Sequence, residues 1–270
     1  MGEVITEAAK SVTERAHRLP TVSIITTAFN ARETIADTLI SVQAQDYPAI
    51  EHIIVDGGSH DGTAELARDY ATEQMHIISE PDRGIYDGMN KGIALATGDI
   101  IGCLNADDVL YDTGAVRAIA EAFDAETDCV YGNLLYMDAG LTTVTRRWIS
   151  QPFADGLFQK SWTPAHPTFY CRRDAFQRFG VYRLDFQIAA DVELMYRFLQ
   201  RHQLRSKFID RYLVRMRAGG ASNRDWRSTL TITREMRQGI RENGGSFNMP
   251  VYLFGKMLKV GQLLGARMRG

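Results

Sequence analysis

The sequence predicts an α/β fold with a mostly parallel central sheet flanked by helices, and three observations carry that expectation. Short, apolar, β-branched runs alternate with helical patterns along the first hundred residues. That alternation is the mark of βαβ units, which build parallel sheets with helices on both faces. Each run stops in a polar, acidic or glycine-rich cluster, and such sheets bind ligands outside the carboxyl ends of their strands. The chain is also ordinary globular material: 270 residues, 45% hydrophobic and 24% charged, long enough to bury a core without staples.

The elements follow in order. Residues 22–27 are β-branched and buried in character, the first strand. Asn30 with Glu33 three residues on gives a capping-box-like start to a helix that carries Ile35, Leu39 and Val42 on one face and stops before Pro48. Ile53, Ile54 and Val55 form a second strand that breaks in Asp56-Gly57-Gly58-Ser59, and residues 61–71 read as a helix. Ile77 and Ile78 make a third strand, residues 86–96 a helix, and residues 100–104 a fourth strand. Residues 130–148 turn to strands and turns. A helix around 192–199 and a strand near 208–214 come next, and the last forty or so residues are helical and basic.

Several classes are excluded early. The net charge of −2 argues against a general nucleic-acid partner. Cys103, Cys129 and Cys171 are odd in number, far apart in sequence and without a CxxC pair, so neither a disulfide framework nor a zinc ribbon is expected, and a reducing compartment suits them. The first twenty residues mix charged and small side chains without the apolar stretch of a signal peptide. No apolar run reaches the roughly 18–20 residues of a membrane span. A cytoplasmic protein is expected. There is no GxGxxG after the first strand, no GxxxxGK[ST] and no GxSxG, which disfavours a dinucleotide-binding fold, a P-loop and a nucleophile elbow.

The chemistry-bearing residues sit at the strand ends, and each has two readings. Asp107 and Asp108 follow the fourth strand in Leu104-Asn105-Ala106-Asp107-Asp108. Adjacent carboxylates repel unless a cation or donor neutralises them, and Mg²⁺ or Mn²⁺ takes such oxygen ligands. The alternative is a helix cap at Asp108. Asp56 either accepts a hydrogen bond from a nucleobase or ribose, or only forms a turn. Arg83 and Lys91, in the run from Glu80 through Asp82 to Gly92, either serve a diphosphate or are solvated. Asp191 is an acid in the apolar stretch 188–194, where apolar neighbours raise a carboxyl pKa toward general-base use. Its alternative is an N-cap. His166, between Pro164 and Pro167, is more often structural than catalytic.

Taken together, these motifs resemble the inverting family 2 glycosyltransferases of GT-A fold. Residues 22–30, then Asp56-Gly57-Gly58-Ser59, the run from Glu80 to Gly92 and Asn105-Ala106-Asp107-Asp108 match the family's opening motifs in order and spacing. The wording of the third motif is most similar to a bacterial subgroup that builds exopolysaccharide, lipopolysaccharide O-chain and glycolipid sugars, including colanic acid enzymes. The resemblance implies a GT-A catalytic domain over 21–222, with a nucleotide-sugar half (21–110) and an acceptor half (111–222). A lead-in (1–20) precedes it, and a basic helical extension (223–270) follows.

The resemblance also implies roles. Thr27, Phe29, Asn30, Asp56, Asp82, Arg83 and Lys91 would line the nucleotide-sugar site with Asn105, Ala106 and Asp107. Asp107 would meet the ribose and Asp108 would hold Mg²⁺ or Mn²⁺. Asn105 replaces the family's first acid. Asp191 matches the catalytic base, with Ala190 in place of the usual preceding Glu. His166 and Arg217 would face the acceptor or diphosphate, and Gly219, Gly220 and Ser222 a closing loop. The expected reaction moves a sugar from a nucleoside-diphosphate donor, UDP preferred and GDP the alternative, to a glycan or lipid-linked acceptor. A sugar-phosphate nucleotidyltransferase and a non-catalytic sugar-nucleotide-binding subunit are the competing classes. From residue 224 onward, nine Lys or Arg stand against three acids. A basic, partly apolar tail of this kind suits peripheral docking on an anionic membrane, unless its apolar side packs on the domain.

Overall fold

The computed structural model describes residues 19–218 and 226–255. The lead-in, most of the glycine loop with Gly219, Gly220 and Ser222, and the tail beyond 255 lie outside the described residues.

The first half is a parallel sheet, as expected. β1 (Val22–Ala28) is buried along its whole length and lies between β2 (Ile50–Asp56) and β4 (Ile100–Cys103), parallel to both. β3 (Met75–Ser79) extends the sheet beyond β2. The connecting helices are α1 (Ile35–Gln43), α2 (Thr63–Asp69) and α3 (Ile85–Leu95). On α1, Ile35, Thr38, Leu39 and Val42 are buried at helical spacing, so its inward face is the one the sequence marks.

The second half is mixed. β5 (Val109–Leu110) and α4 (Ala115–Ala122) lead to β6 (Cys129–Met137) and β7 (Val144–Trp148), an antiparallel hairpin. β8 (Tyr170–Arg172) pairs antiparallel with both β4 and β6 and so joins the two halves. α5 (Arg173–Phe179) and α6 (Ala190–Tyr196) follow, the latter running into a π-helical turn, Arg197–Arg201. β9 (Ser206–Arg217) lies parallel to β6 and carries β5 at its far edge. The sheet order is β3-β2-β1-β4-β8-β6-β9-β5, with β7 on β6.

Three readings need correction. Asn30 caps no helix: it sits at φ 49°, and α1 starts five residues later. Asn tolerates this left-handed conformation. Its amide oxygen accepts the His60 N–H (3.1 Å), and its own N–H donates to Ser59 Oγ (2.8 Å), so it ties two loops together. Asp108 caps no helix either, since α4 begins at Ala115 behind Gly114. Asp191 lies inside the first turn of α6, where Ala189 is the N-cap. The cysteines are free, and Cys129 and Cys171, distant in sequence, lie side by side across β6 and β8 with their buried Sγ atoms 2.8 Å apart.

α7 (Trp226–Glu242) is no detached appendage. Met236 and Ile240 are buried, and Tyr252, in the helical turn at 249–255, is 1% exposed. Met236, Tyr252 and Ala189 form one apolar cluster. The described part of the extension therefore packs on the domain, while Val251, Leu253 and Phe254 face outward.

Candidate active site

The carboxyl ends of β1, β2 and β3 build one cleft. Asp56 ends β2 fully buried, and its carboxylate accepts the Ser59 N–H (3.0 Å), the Ser59 hydroxyl and the Ser79 hydroxyl (2.6 Å). Its oxygens are thereby locked in orientation. Asp82 accepts the Gly84 N–H (2.9 Å). A Cβ on Gly57 would stand 2.5 Å from its carboxylate, and one on Gly88 3.2 Å from it and 3.1 Å from the Thr27 methyl. Only glycine leaves that gap, so Asp82 enters between the two glycines. Thr27 Oγ1 is buried without a partner, and Phe29 is 62% exposed beyond it. Arg83 folds back on Asp87 (3.1 Å), and Lys91 on Glu80 (2.8 Å) and the Pro81 carbonyl (2.9 Å).

The loop after β4 lies beside this cleft, because the Ala106 N–H donates to the Thr27 carbonyl (3.3 Å). Asp108 is 1% exposed. Its carboxylate accepts the Asn105 amide (3.2 Å) and the Arg217 backbone N–H (3.2 Å), linking the loop to the end of β9. Burial, reinforced by the charge on Asp107, pushes its carboxyl well above the usual range. Asp107 is half-buried and also raised by burial, with Arg217 opposing the shift. The Asn105 side-chain oxygen is buried without a partner. The Arg217 guanidinium is held by the Ala139 carbonyl (3.0 Å), the Asp107 carbonyl (2.7 Å) and Asp37.

A cavity of about 600 Å³ opens from this loop. Asn105, Asp107 and Asp108 line one wall, and His166 and Asp191 line others. Asp191 Oδ1 accepts the Tyr86 hydroxyl at 3.2 Å, a hydroxyl that also reaches the Ile188 carbonyl at 2.6 Å. Burial and then the charge of Asp191 push the Tyr86 phenol well above its usual range. Tyr86 stacks on Tyr182 (5.7 Å), whose hydroxyl meets His166 Nε2 (3.0 Å). Burial pushes the His166 imidazole below its usual range, with Asp191 opposing. It is therefore a neutral, hydrogen-bonded ring at neutral pH.

So the structure brings Asn105, Asp107, Asp108, His166 and Asp191 to one cavity and sets Thr27, Asp56 and Asp82 beside it. It turns Lys91, Arg83 and the Arg217 guanidinium onto partners of their own. Among the described residues, no three His, Cys, Asp or Glu side chains cluster as an ion site. Two features escape sequence reasoning. Glu235 of α7 accepts three consecutive backbone N–H groups, of Gln187 (2.7 Å), Ile188 (3.0 Å) and Ala189 (2.8 Å), just before Asp191. Arg146 and Trp148 line the cavity from β7. Glu235 left no local signal, whereas the alternation along β7 puts Arg146 and Trp148 on one face.

The model of Glycosyl transferase family 2 matches residues 23–183, which hold every one of these strand-end motifs. The chain belongs to this family. A "PGL/p-HBAD biosynthesis glycosyltransferase" of Mycobacterium bovis is 33% identical over 178 residues, 64% of this chain and 67% of its own length. An uncharacterized glycosyltransferase of Mycobacterium tuberculosis is 35% identical over 181 residues, 66% of this chain and 68% of its own. The chain thus spans about two thirds of these relatives. Among solved structures, S. aureus TarS 1-349 in complex with UDP-GlcNAc superposes with a TM-score of 0.63 at 16% identity, covering 82% of this chain and 66% of that one. The mannosyltransferase PcManGT of Pyrobaculum calidifontis, in complex with GDP-Man and Mn2+, gives 0.62 at 18%, covering 89% and 69%. At that identity the likeness is one of fold, and it bears out the GT-A architecture expected from the motifs.

Proposed function

We propose that this family member is an inverting glycosyltransferase. It would move a sugar from a nucleoside-diphosphate donor, UDP in preference to GDP, to a hydroxyl of a glycan or lipid-linked acceptor in cell-surface polysaccharide or glycolipid assembly. The observation that carries the proposal is the shared cavity: the Asp107–Asp108 loop and Asp191 face the same space. Thr27, Asp56 and Asp82 would hold the nucleoside, with Phe29 at the rim. Asp191 takes the proton of the acceptor hydroxyl, the oxygen attacks the anomeric carbon, and the bond to the diphosphate breaks. One displacement inverts the centre, and the nucleoside diphosphate departs.

The donor set fits a divalent cation. The Asn105 oxygen has no partner, Asp107 faces the cavity, and both are hard oxygen ligands of the kind Mg²⁺ or Mn²⁺ takes together with substrate phosphates. The burial of Asp108, and the hydrogen bonds it already accepts, make Asp107 the more open ligand, with Asp108 fixing Asn105 and β9 from behind. When bound, such a cation offsets the charge that grows on the leaving diphosphate. PcManGT, solved with GDP-Man and Mn2+, and TarS, solved with UDP-GlcNAc, support the donor class.

Incubation with UDP- and GDP-sugars should release nucleoside diphosphate. Pyrophosphate formed from a nucleoside triphosphate would instead identify a nucleotidyltransferase, and no turnover with any donor would leave a binding subunit. Calorimetry should show nucleoside diphosphate binding that weakens about 10-fold or more in excess chelator and in Asp107→Asn. Cation-independent binding would remove the metal from the account.

Peripheral association with an anionic cytosolic membrane surface is also part of the proposal. No described helix is long and apolar enough to cross a membrane, and Leu253 and Phe254 are exposed just before the basic tail. Because Tyr252 is buried against α7, the informative truncation ends at Gly255. The full chain should sediment with anionic liposomes in low salt and the truncated one should not. Equal sedimentation of both would exclude the tail.

A further inference from the structure

The geometry points to Arg146 as an oxyanion subsite on the acceptor side of the cavity, one that takes a phosphate or carboxylate carried by an acceptor with an apolar portion. This rests on the glycosyltransferase proposal and names the acceptor's chemistry within it.

Four observations meet at this arginine. It lies opposite Tyr136 in the β6–β7 hairpin, where Leu134 and Trp148 pair two residues along on the same face, and all four side chains line the cavity. Its guanidinium stacks on aromatic faces, 5.2 Å from the Tyr136 ring centre and 5.6 Å from that of Trp148. The two rings are themselves stacked with their planes nearly parallel, 14° apart. Stacking fixes the plane of the guanidinium and leaves its N–H edge to bind. Finally, its Nε is buried without a hydrogen-bond partner, and among the described residues no carboxylate pairs with it. A buried cationic donor left unmatched is costly, and a bound oxyanion removes that cost.

The neighbouring cations are committed elsewhere. Arg217 is held by Asp37 and two carbonyls, and Lys91 by Glu80. Among the described residues the other charged side chains facing the cavity are the acids Asp107, Asp108 and Asp191, so Arg146 is the positive point among them. The second half of the chain also gives the cavity an apolar share of its lining, with Met216, Val192, Ile232, Met236 and Tyr252. An anion beside an apolar group matches that surface. The phosphate of a lipid-linked glycan and the carboxylate of a uronic acid both offer the anion.

The test uses the full chain. Hexyl phosphate, hexyl β-glucuronide and neutral hexyl glucoside are titrated into wild type, Arg146→Met and Arg146→Lys. Methionine keeps bulk on the aromatic shelf, and thermal unfolding checks that it folds. One of the anionic probes should bind wild type more tightly than the neutral glucoside, and which one names the acceptor's anion. Arg146→Met should weaken it about 10-fold or more, with Arg146→Lys in between, while UDP and GDP with Mg²⁺ bind within 2-fold of wild type. Anionic probes that bind no better than the glucoside, or bind Arg146→Met as well as wild type, would overturn the subsite. Loss of nucleoside diphosphate binding in Arg146→Met would assign the arginine to the donor and equally overturn it. A wild type that binds hexyl phosphate but no nucleoside diphosphate would sink the glycosyltransferase proposal instead.

Discussion

Asp191→Asn should lower the rate of sugar transfer by about 10²- to 10⁴-fold, the range that a positioned general base supplies. Nucleoside diphosphate affinity should stay within a few-fold. The substitution preserves shape: an amide fills the same volume in the first turn of α6 and can still meet the Tyr86 hydroxyl. What it removes is the ability to take a proton. The Tyr86 hydroxyl lies closer to the Ile188 carbonyl (2.6 Å) than to Asp191 (3.2 Å), so it orients the carboxylate without saturating it. Single-turnover transfer in the presence of saturating donor measures the chemical step. Near-normal turnover in Asp191→Asn combined with a large loss in His166→Gln would move the base to His166. That ring is hydrogen-bonded to Tyr182 and kept neutral by burial, and neutral imidazole is itself a competent base.

Much of this arrangement was legible because the information is local. A parallel strand buried on both faces is a short apolar run, and its ligand-facing end is the polar cluster that follows. That rule points to the segments of Asp56, Asp82, Asp107 and Asp108, and the family resemblance adds their roles. The second half resisted because its order depends on pairings between distant segments. β8 is three residues long and enters between β4 and β6 only because β4 carries Gly102 at the contact. A Cβ there would stand 2.1 Å from the Tyr170 ring. Nothing around Gly102 announces an aromatic seventy residues away. The same holds for the cations. Lys91 and Arg217 look free in sequence and are committed in space, while Arg146, which belongs to no motif, faces the cavity with its Nε unpartnered among the described residues.

Glu235 is the clearest case, and it yields the second large effect. The acid stands between Arg234 and Met236 in a basic segment, where sequence gives it no role. In space it is 7% exposed, and its carboxylate accepts three successive N–H groups at the entry to α6. Those donors have no intrahelical partner, and a negative charge there also opposes the helix dipole favourably. α7 grips α6 a second time where the Asn243 amide donates to Glu193 (2.8 Å), the residue that pairs with Arg197 (3.0 Å). Gly239 allows the close approach, since a Cβ there would stand 3.0 Å from the Glu193 side chain. The consequence is that Glu235, which does not line the cavity, holds the segment leading to Asp191 in place. Glu235→Ala leaves three donors unpaired, the Ala189 N–H buried and the Gln187 and Ile188 N–H part-buried, at about 1–3 kcal/mol each if none finds water. Partial hydration brings the expected loss to about 2–4 kcal/mol, a fall in Tm of order 4–16 °C for a domain of this size. Glu235→Gln keeps one acceptor oxygen and turns an NH₂ toward the same donors, so it should lose less stability, about 1–2 kcal/mol. Because the Gln variant should keep more of the stability, it is the one to assay. Its kcat should fall about 10-fold or more while the KM for donor holds, since the clamp acts on the segment leading to Asp191 and not on the nucleoside cleft. A purely structural acid would lower Tm and spare kcat of the folded enzyme, and that outcome would leave Glu235 as a stabilising clamp alone.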